Sequence, residues 1–232
     1  MAPTLAPGDP VTTEPAPYPS KEIHLIGKHV TVVGISSLHA QAMFSATKGP
    51  SNESLFTYLF DGPYNSVEAY QEVITKQAAD NISIFYTILL NSTNSAVGRA
   101  SLLNISTANR SVEVGNILFS PLLQRTPAAT EAQYLLANYV FKLGYRRYEW
   151  KCNSLNEPSK RAALRLGFKY EGLFRQHVVQ RGRSRDTWWA SLLDWEWEPE
   201  KGGGVKKAYE AWLADENFDA EGKQKKRLEE FS

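Results

Sequence analysis

The run VEVGNILFSPLLQRTPAATEAQYLLANYVFKL, residues 112–143, leaves the chain little freedom of fold. Its first eight residues suit a strand. From about Thr130 onward Ala132, Leu135, Leu136, Tyr139, Val140 and Leu143 recur at helical spacing, and Gly144 closes the helix. A strand that passes through a short loop into a helix aims the helix's first N–H groups, which lack internal partners, at whatever the loop encloses. Phosphate groups bind well at such termini. Pro127 removes one donor, but Arg125, Thr126, Ala128, Ala129 and Thr130 keep theirs. The small side chains of Ala128 and Ala129 allow close approach, and the helix dipole favours negative charge by roughly 0.3–1 kcal/mol per interaction.

The flanking sequence builds a sheet around this unit. A β-branched run predicts a strand over 29–35 and a short helix over 37–44. Residues 48–66 form a loop rich in Gly, Pro and aromatic side chains, followed by a helix over about 67–79. Strands are expected over 83–90 and 96–103, joined by a polar turn, then over 111–119 and 146–152. Asn156 can cap a helix that carries Pro158 in its first turn and ends at Gly167. Two last strands, about 173–181 and 186–196, flank a turn at 181–184. This order predicts an α/β fold with a mixed, mostly antiparallel central sheet and helices on both faces.

The ends differ from this core. Residues 1–20 are proline-rich and poor in large apolar side chains, which predicts a disordered or extended leader. The main domain is expected over 21–197, with 198–232 reading as a hinge at 201–204 and a helical, charged tail. In that tail Val205, Ala208, Tyr209, Trp212 and Leu213 form the apolar stripe.

With 232 residues, 42% of them hydrophobic, the chain can bury one full core. Its 26 basic and 25 acidic residues nearly cancel, which argues against nucleic acid or an anionic membrane as partner. An anionic ligand must therefore be held locally. No apolar stretch is long enough to span a bilayer, and the N-terminus lacks the apolar core of a signal peptide. The single Cys152 reads as a core strand residue and, without a pairing partner, predicts a cytoplasmic, reducing setting. His24, His29, His39 and His177 show no ligand spacing, so no metal is expected.

Three motifs carry a family resemblance. Gln124 to Ala129 fit the frame Gln/Arg-x-x-Gly-x-Gly/Ala, departing from it at Pro127. Asn156 and Ser159, with Ala162, Ala163 and the Leu166-Gly167-Phe168 ending, fit an Asn-x-x-Ser helix, and Glu171-Gly172 continue the match. Residues 183–197 complete it. On these the stretch 21–197 resembles the GCN5-related N-acetyltransferases (GNAT), and within them the RimJ/RimL-like group of ribosomal-protein acetyltransferases.

The resemblance implies acetyl-CoA as co-substrate. It implies that Gln124, Arg125, Thr126, Ala128, Ala129 and Thr130 hold the pyrophosphate, that Asn156 and Ser159 face the pantetheine arm, and that main-chain N–H groups of Ile117, Leu118 and Phe119 stabilise the oxyanion. Amine and thioester would be bound together for direct transfer. Glu113, which alternates with Gly115, Ile117 and Phe119 along the strand, is the candidate base, and Ser159 the candidate leaving-group contact. Ala163 stands where many relatives carry a tyrosine acid. His177 is either a substitute base or an ordinary strand histidine. Tyr58, Phe60 and Tyr64 either line the acceptor pocket or pack into the core. Arg175, Arg181, Arg183 and Arg185 form a basic cluster for an acidic acceptor, for the ribose phosphate, or only for solvent. The acceptor would be a protein N-terminus or a small-molecule amine, and the enzyme a monomer or homodimer. The missing tyrosine and the loop proline also allow a catalytically silent acyl-CoA-binding sensor or partner protein.

Overall fold

The computed structural model describes residues 8–231. Eight strands, β1 (His24–Ile26), β2 (Val30–Gly34), β3 (Ile84–Leu90), β4 (Ser95–Ser106), β5 (Ser111–Phe119), β6 (Arg147–Asn153), β7 (Lys169–Gln180) and β8 (Arg183–Leu193), form one sheet. Their spatial order is β1-β2-β3-β4-β5-β6-β8-β7. Only β5 and β6 run parallel; the other neighbours are antiparallel. The helices are α1 (Ala40–Thr47), α2 (Val67–Ala79), α3 (Pro127–Lys142), α4 (Glu157–Arg165), the single turn α5 (Asp194–Trp197) and α6 (Val205–Leu213). This is the mixed, mostly antiparallel α/β sheet expected from the sequence.

Period-two alternation sends strand side chains to two separate layers. Val30, Val32, Tyr86, Ile88, Val112, Val114 and Trp150 meet α3, α4 and α6 on one face, through Leu136, Val140, Ala163 and Tyr209. Phe85, Ala96 and Leu118 meet α1 and α2 on the other, through Met43, Tyr70 and Ile74. Each of the Val, Leu, Ile, Phe and Met side chains, fully buried, contributes roughly 1.5–3 kcal/mol. The second layer stops at β5. Beyond it the same face of β6, β8 and β7 carries no helix, and β7 is exposed along most of its length.

α2 and β5 have the bounds the sequence predicts, 67–79 and 111–119. α3 begins earlier than expected, because Thr126 Oγ1 accepts from Ala129 N and Pro127 takes the first helical position. Glu131 then fixes the helix to the sheet. Its buried carboxylate accepts from the amides of Lys28, His29 and Val30 at 2.7, 2.7 and 2.9 Å. β8 ends at Leu193 because Glu196 Oε2 accepts the Leu193 amide and curls the chain into α5.

The ends are docked. Residues 1–7 of the expected leader lie outside the described residues, and the expected disorder does not extend to Ala16–Ser20. Ala16 is buried and donates to Thr107 O, while Tyr145 and Tyr139 hydroxyls bond Pro17 O and Ser20 N. Proline keeps this segment extended, and the hydroxyls of buried Tyr145 and half-buried Tyr139 supply its partners. Nor is 201–204 a free hinge: Gly203 N and Gly204 N donate to Glu198 O and Glu196 O, and a Cβ on Gly203 would stand 2.2 Å from Glu196 O. From there α6 packs on α3, and buried Asn217 and Leu228 fold the tail against it.

Candidate active site

The parallel pairing of β5 with β6 covers only Ser111–Val114 against Arg147–Trp150. Beyond that point β5 continues to Phe119 and β6 to Asn153 without facing each other, so the sheet opens as a wedge. The cause lies in β5. Asn116 takes φ 50°, and the β4–β5 register slips between Arg99 and Ser101, a β-bulge that bends the strand. Asn116 Nδ2 donates to Ser101 Oγ at 3.0 Å and holds it there.

The bulge corrects one expectation. Glu113, Gly115, Ile117 and Phe119 do not share a face, because the slip reverses the alternation at Asn116. Ile117 and Phe119 pack with Val112 and Val114 against the α3 layer, whereas Leu118 joins the α1–α2 layer. Glu113 lies on that second face.

At the wedge mouth, residues 120–126 turn into α3. Arg125 is left-handed at φ 60°, and the amides of Arg125, Thr126 and Ala128 have no partner among the described residues. Ala129 N is committed to Thr126 O and Oγ1, so the loop offers fewer free amides than the sequence implied. Gln124 Nε2 turns back to Phe119 O at 2.9 Å and shapes the loop. Thr130 is buried, its Oγ1 accepting from Arg165 Nη1 across to α4. Asn156 Oδ1 caps α4 through Ser159 N, and Ser159 Oγ accepts from Trp150 Nε1 at 3.0 Å. Cys152 is buried beside Ser159, and burial pushes its thiol up, which suits a packing residue rather than a nucleophile.

On the other face Glu113 is 6% exposed. Its Oε2 accepts from Asn104 Nδ2 and Lys151 Nζ, both at 2.7 Å, while Oε1 has no hydrogen bond to any described residue and is turned toward Gly115. Lys151 also contacts Glu149 at 2.8 Å and sits 3.9 Å over the Trp189 ring. Burial alone would raise the Glu149 carboxyl, but Lys151 and Arg147 outweigh it and hold it below the usual range. Next to this group, His177 Nδ1 meets Thr187 Oγ1, and the His177 ring packs with Phe174 and Trp189.

A strap of the 48–66 loop crosses above. Tyr58 Oη donates to Leu155 O, Gln180 Nε2 donates to Tyr58 O and Leu59 O, and Arg181 donates to Asp61 O and Gly62 O. Beneath the strap Arg99, 1% exposed, grips Asp61 through Nη2 at 2.6 and 2.7 Å, with Gln77 Oε1 on Nη1. Of the three aromatic residues expected at the acceptor, Tyr58 and Phe60 lie in the strap. Tyr64 instead stacks on Tyr70 within the α1–α2 layer.

Residues 30–169 match the family described as Acetyltransferase (GNAT) domain. The chain belongs to the GNAT acetyltransferase family. A GCN5-related N-acetyltransferase from Brucella melitensis is 43% identical and superposes with TM-score 0.89 over 94% of this chain and 97% of its own. A GNAT-family structure from Chromobacterium violaceum is 33% identical, TM-score 0.76, over 84% and 99%. In Bacillus subtilis (strain 168), a protein named "Putative ribosomal N-acetyltransferase YdaF" is 31% identical over 59% of this chain and 76% of its own.

As a GNAT enzyme the chain is an N-acetyltransferase of a family that uses acetyl-CoA, and its RimJ/RimL resemblance agrees with the ribosomal naming of relatives. Among the described residues no helix is long and apolar enough to cross a membrane, and no cluster of His, Cys, Asp and Glu could hold a metal. The sequence singled out residues on both sides of the wedge. It missed Lys151, Asn104, Asp61 and Arg99, single polar residues in apolar or loop surroundings whose partners lie 9 to 38 residues along the chain.

Proposed function

We propose that this GNAT enzyme moves the acetyl group of acetyl-CoA to a primary amine in a ternary complex built across the β5–β6 wedge. One observation carries the reading: the unpaired amides of Arg125, Thr126 and Ala128 lie at the wedge mouth, while the free Glu113 Oε1 lies on β5 where the strands part. Those amides, with the Gln124-shaped loop and the α3 dipole, would bind the diphosphate. Asn156 and Ser159 would border the pantetheine arm.

Glu113 Oε1 would take the ammonium proton, giving the nitrogen its lone pair for attack on the thioester carbonyl. Main-chain N–H groups of Ile117 to Phe119, on the β5 edge that β6 leaves open, would hold the developing oxyanion. As the C–N bond forms and the C–S bond breaks, the nitrogen would release its second proton to solvent, and the thiolate would gain one from solvent through the Ser159 hydroxyl. Fixing both reactants in the wedge supplies a further several kcal/mol. His177, bonded to Thr187 and packed among aromatic rings, would line the acceptor side with Tyr58 and Phe60. Tyr64 would support that wall from beneath.

The name of the Bacillus relative makes a protein N-terminus one acceptor class, and small-molecule amines are the other. Thiol release measured over a panel of amines and N-terminal peptides tests the reading. Saturable, amine-dependent thiol release is expected; tight coenzyme binding with no turnover on any amine would contradict it.

A further inference from the structure

We propose that Arg185 is the anion-recognition residue of the acceptor pocket, so that the acceptor is an amine carrying a carboxylate a few bonds from its nitrogen. This rests on the acetyl-transfer reading above and adds the substrate's chemistry to it.

The four arginines of the β7–β8 hairpin separate in the structure. Arg175 and Arg183 are exposed, and Arg181 is spent on the carbonyls of the strap. Arg185 turns inward. It lies on β8 two residues before Thr187, the residue paired with Asn153 at the end of β6. Alternation therefore puts it on the face of Thr187 and Trp189, the face that also carries Lys151 and Glu113. From above, the Phe60 ring of the strap covers it, with Cζ 5.4 Å from the ring centroid.

In that position the guanidinium has no anion. Its Nε is buried without a hydrogen-bond partner, and it forms no ion pair with any described residue. The carboxylates around it are engaged: Glu113 with Lys151 and Asn104, Glu149 with Arg147 and Lys151, and Asp186 with the Gln176 amide. Burial pulls Arg185 below its ordinary value, against the opposing influence of Cys152 and Glu113. A half-buried cation partly compensated by one aromatic face lacks a counter-charge. Guanidinium forks fit carboxylates in two parallel bonds. An acceptor that bound its carboxylate here would hold its amine over the same face toward Glu113.

Two sources offer this chemistry, a free amino acid and a protein N-terminus with an acidic first residue. Initial rates would be compared for free amino acids against their amides, and for peptides beginning with Asp against Asn. Wild type should favour the carboxylate member of at least one pair by about tenfold to a hundredfold in kcat/KM. R185Q should bring that ratio close to one with acetyl-CoA affinity unchanged, and R185K should keep part of it. The favoured pair names the source. Equal rates within both pairs would overturn the inference while leaving acetyl transfer intact, as would an R185Q ratio equal to wild type or an R185Q defect confined to coenzyme affinity. If no amine turns over, the acetyl-transfer reading fails separately. Calorimetric binding of N-acetyl amino acids against their amides then decides the role of Arg185, with a preference lost in R185Q supporting it and equal affinities rejecting it.

Discussion

Asp61→Asn is the most revealing single change outside the wedge. Arg99 is enclosed at 1% exposure, and its Nη2 has both Asp61 oxygens as partners. Removing the charge leaves a buried guanidinium with neutral partners alone, the Asn oxygen, Gln77 and the Tyr70 ring face 6.0 Å away. Breaking one side of such a pair costs about 3–5 kcal/mol. At about 2–4 °C per kcal/mol for a chain of this size, melting should fall by roughly 6–20 °C. D61N/R99M removes both charges and should recover much of that loss. The effect should fade in acid. Burial alone would raise the Asp61 carboxyl, but the charge and hydrogen bonds of Arg99, with Tyr64 and Gln77, hold it below the ordinary value. A group depressed in the folded state contributes fully above its unfolded pKa of about 3.9, and that contribution is lost as pH falls through the folded value. Calorimetric melts of wild type and D61N at pH 7 and pH 3 should therefore show a wide gap that narrows in acid. A gap under 2 °C at neutral pH, or one that does not change with pH, would show that Arg99 does not depend on the Asp61 charge.

Other consequences are as direct. Glu113→Gln should reduce kcat by roughly a hundredfold to ten-thousandfold while leaving coenzyme affinity unchanged, as read by paired kinetics and calorimetry. Ala129→Leu adds bulk beside the cradle and should weaken acetyl-CoA binding at least tenfold; an unaltered Kd would remove the loop from the site. Glu131→Ala strips the partner from three amides and should cost about 2–4 kcal/mol in urea unfolding, with the midpoint shifted and the slope unchanged. Deleting residues 1–20 removes buried Ala16 and the partners of Tyr139 and Tyr145, so it should lower stability by about 1–3 kcal/mol rather than leave it untouched.

What the sequence revealed follows from the range of its signals. Helical spacing and β-branched runs act over neighbouring residues, which is why α2 and β5 are legible to the residue. The loop into α3 could be proposed as an anion site from the sequence because the chemistry invoked lies in consecutive main-chain amides. The bulge at Asn116 is harder, since a single left-handed residue inside an apolar strand breaks no pattern, although asparagine after glycine is a residue pair that tolerates it. The Arg99–Asp61 and Lys151–Glu113 pairs join residues 38 apart in each case, and no local periodicity encodes such partnerships. The same holds for Arg185, one of four similar arginines until the strap places Phe60 above it.

A crystal structure with acetyl-CoA bound measures the wedge directly. Diphosphate oxygens are expected within hydrogen-bond distance of the Arg125, Thr126 and Ala128 amides, with the pantetheine arm between β5 and β6 and the thioester beside Ile117 to Phe119. A coenzyme bound elsewhere, with those amides facing only water, would contradict this placement.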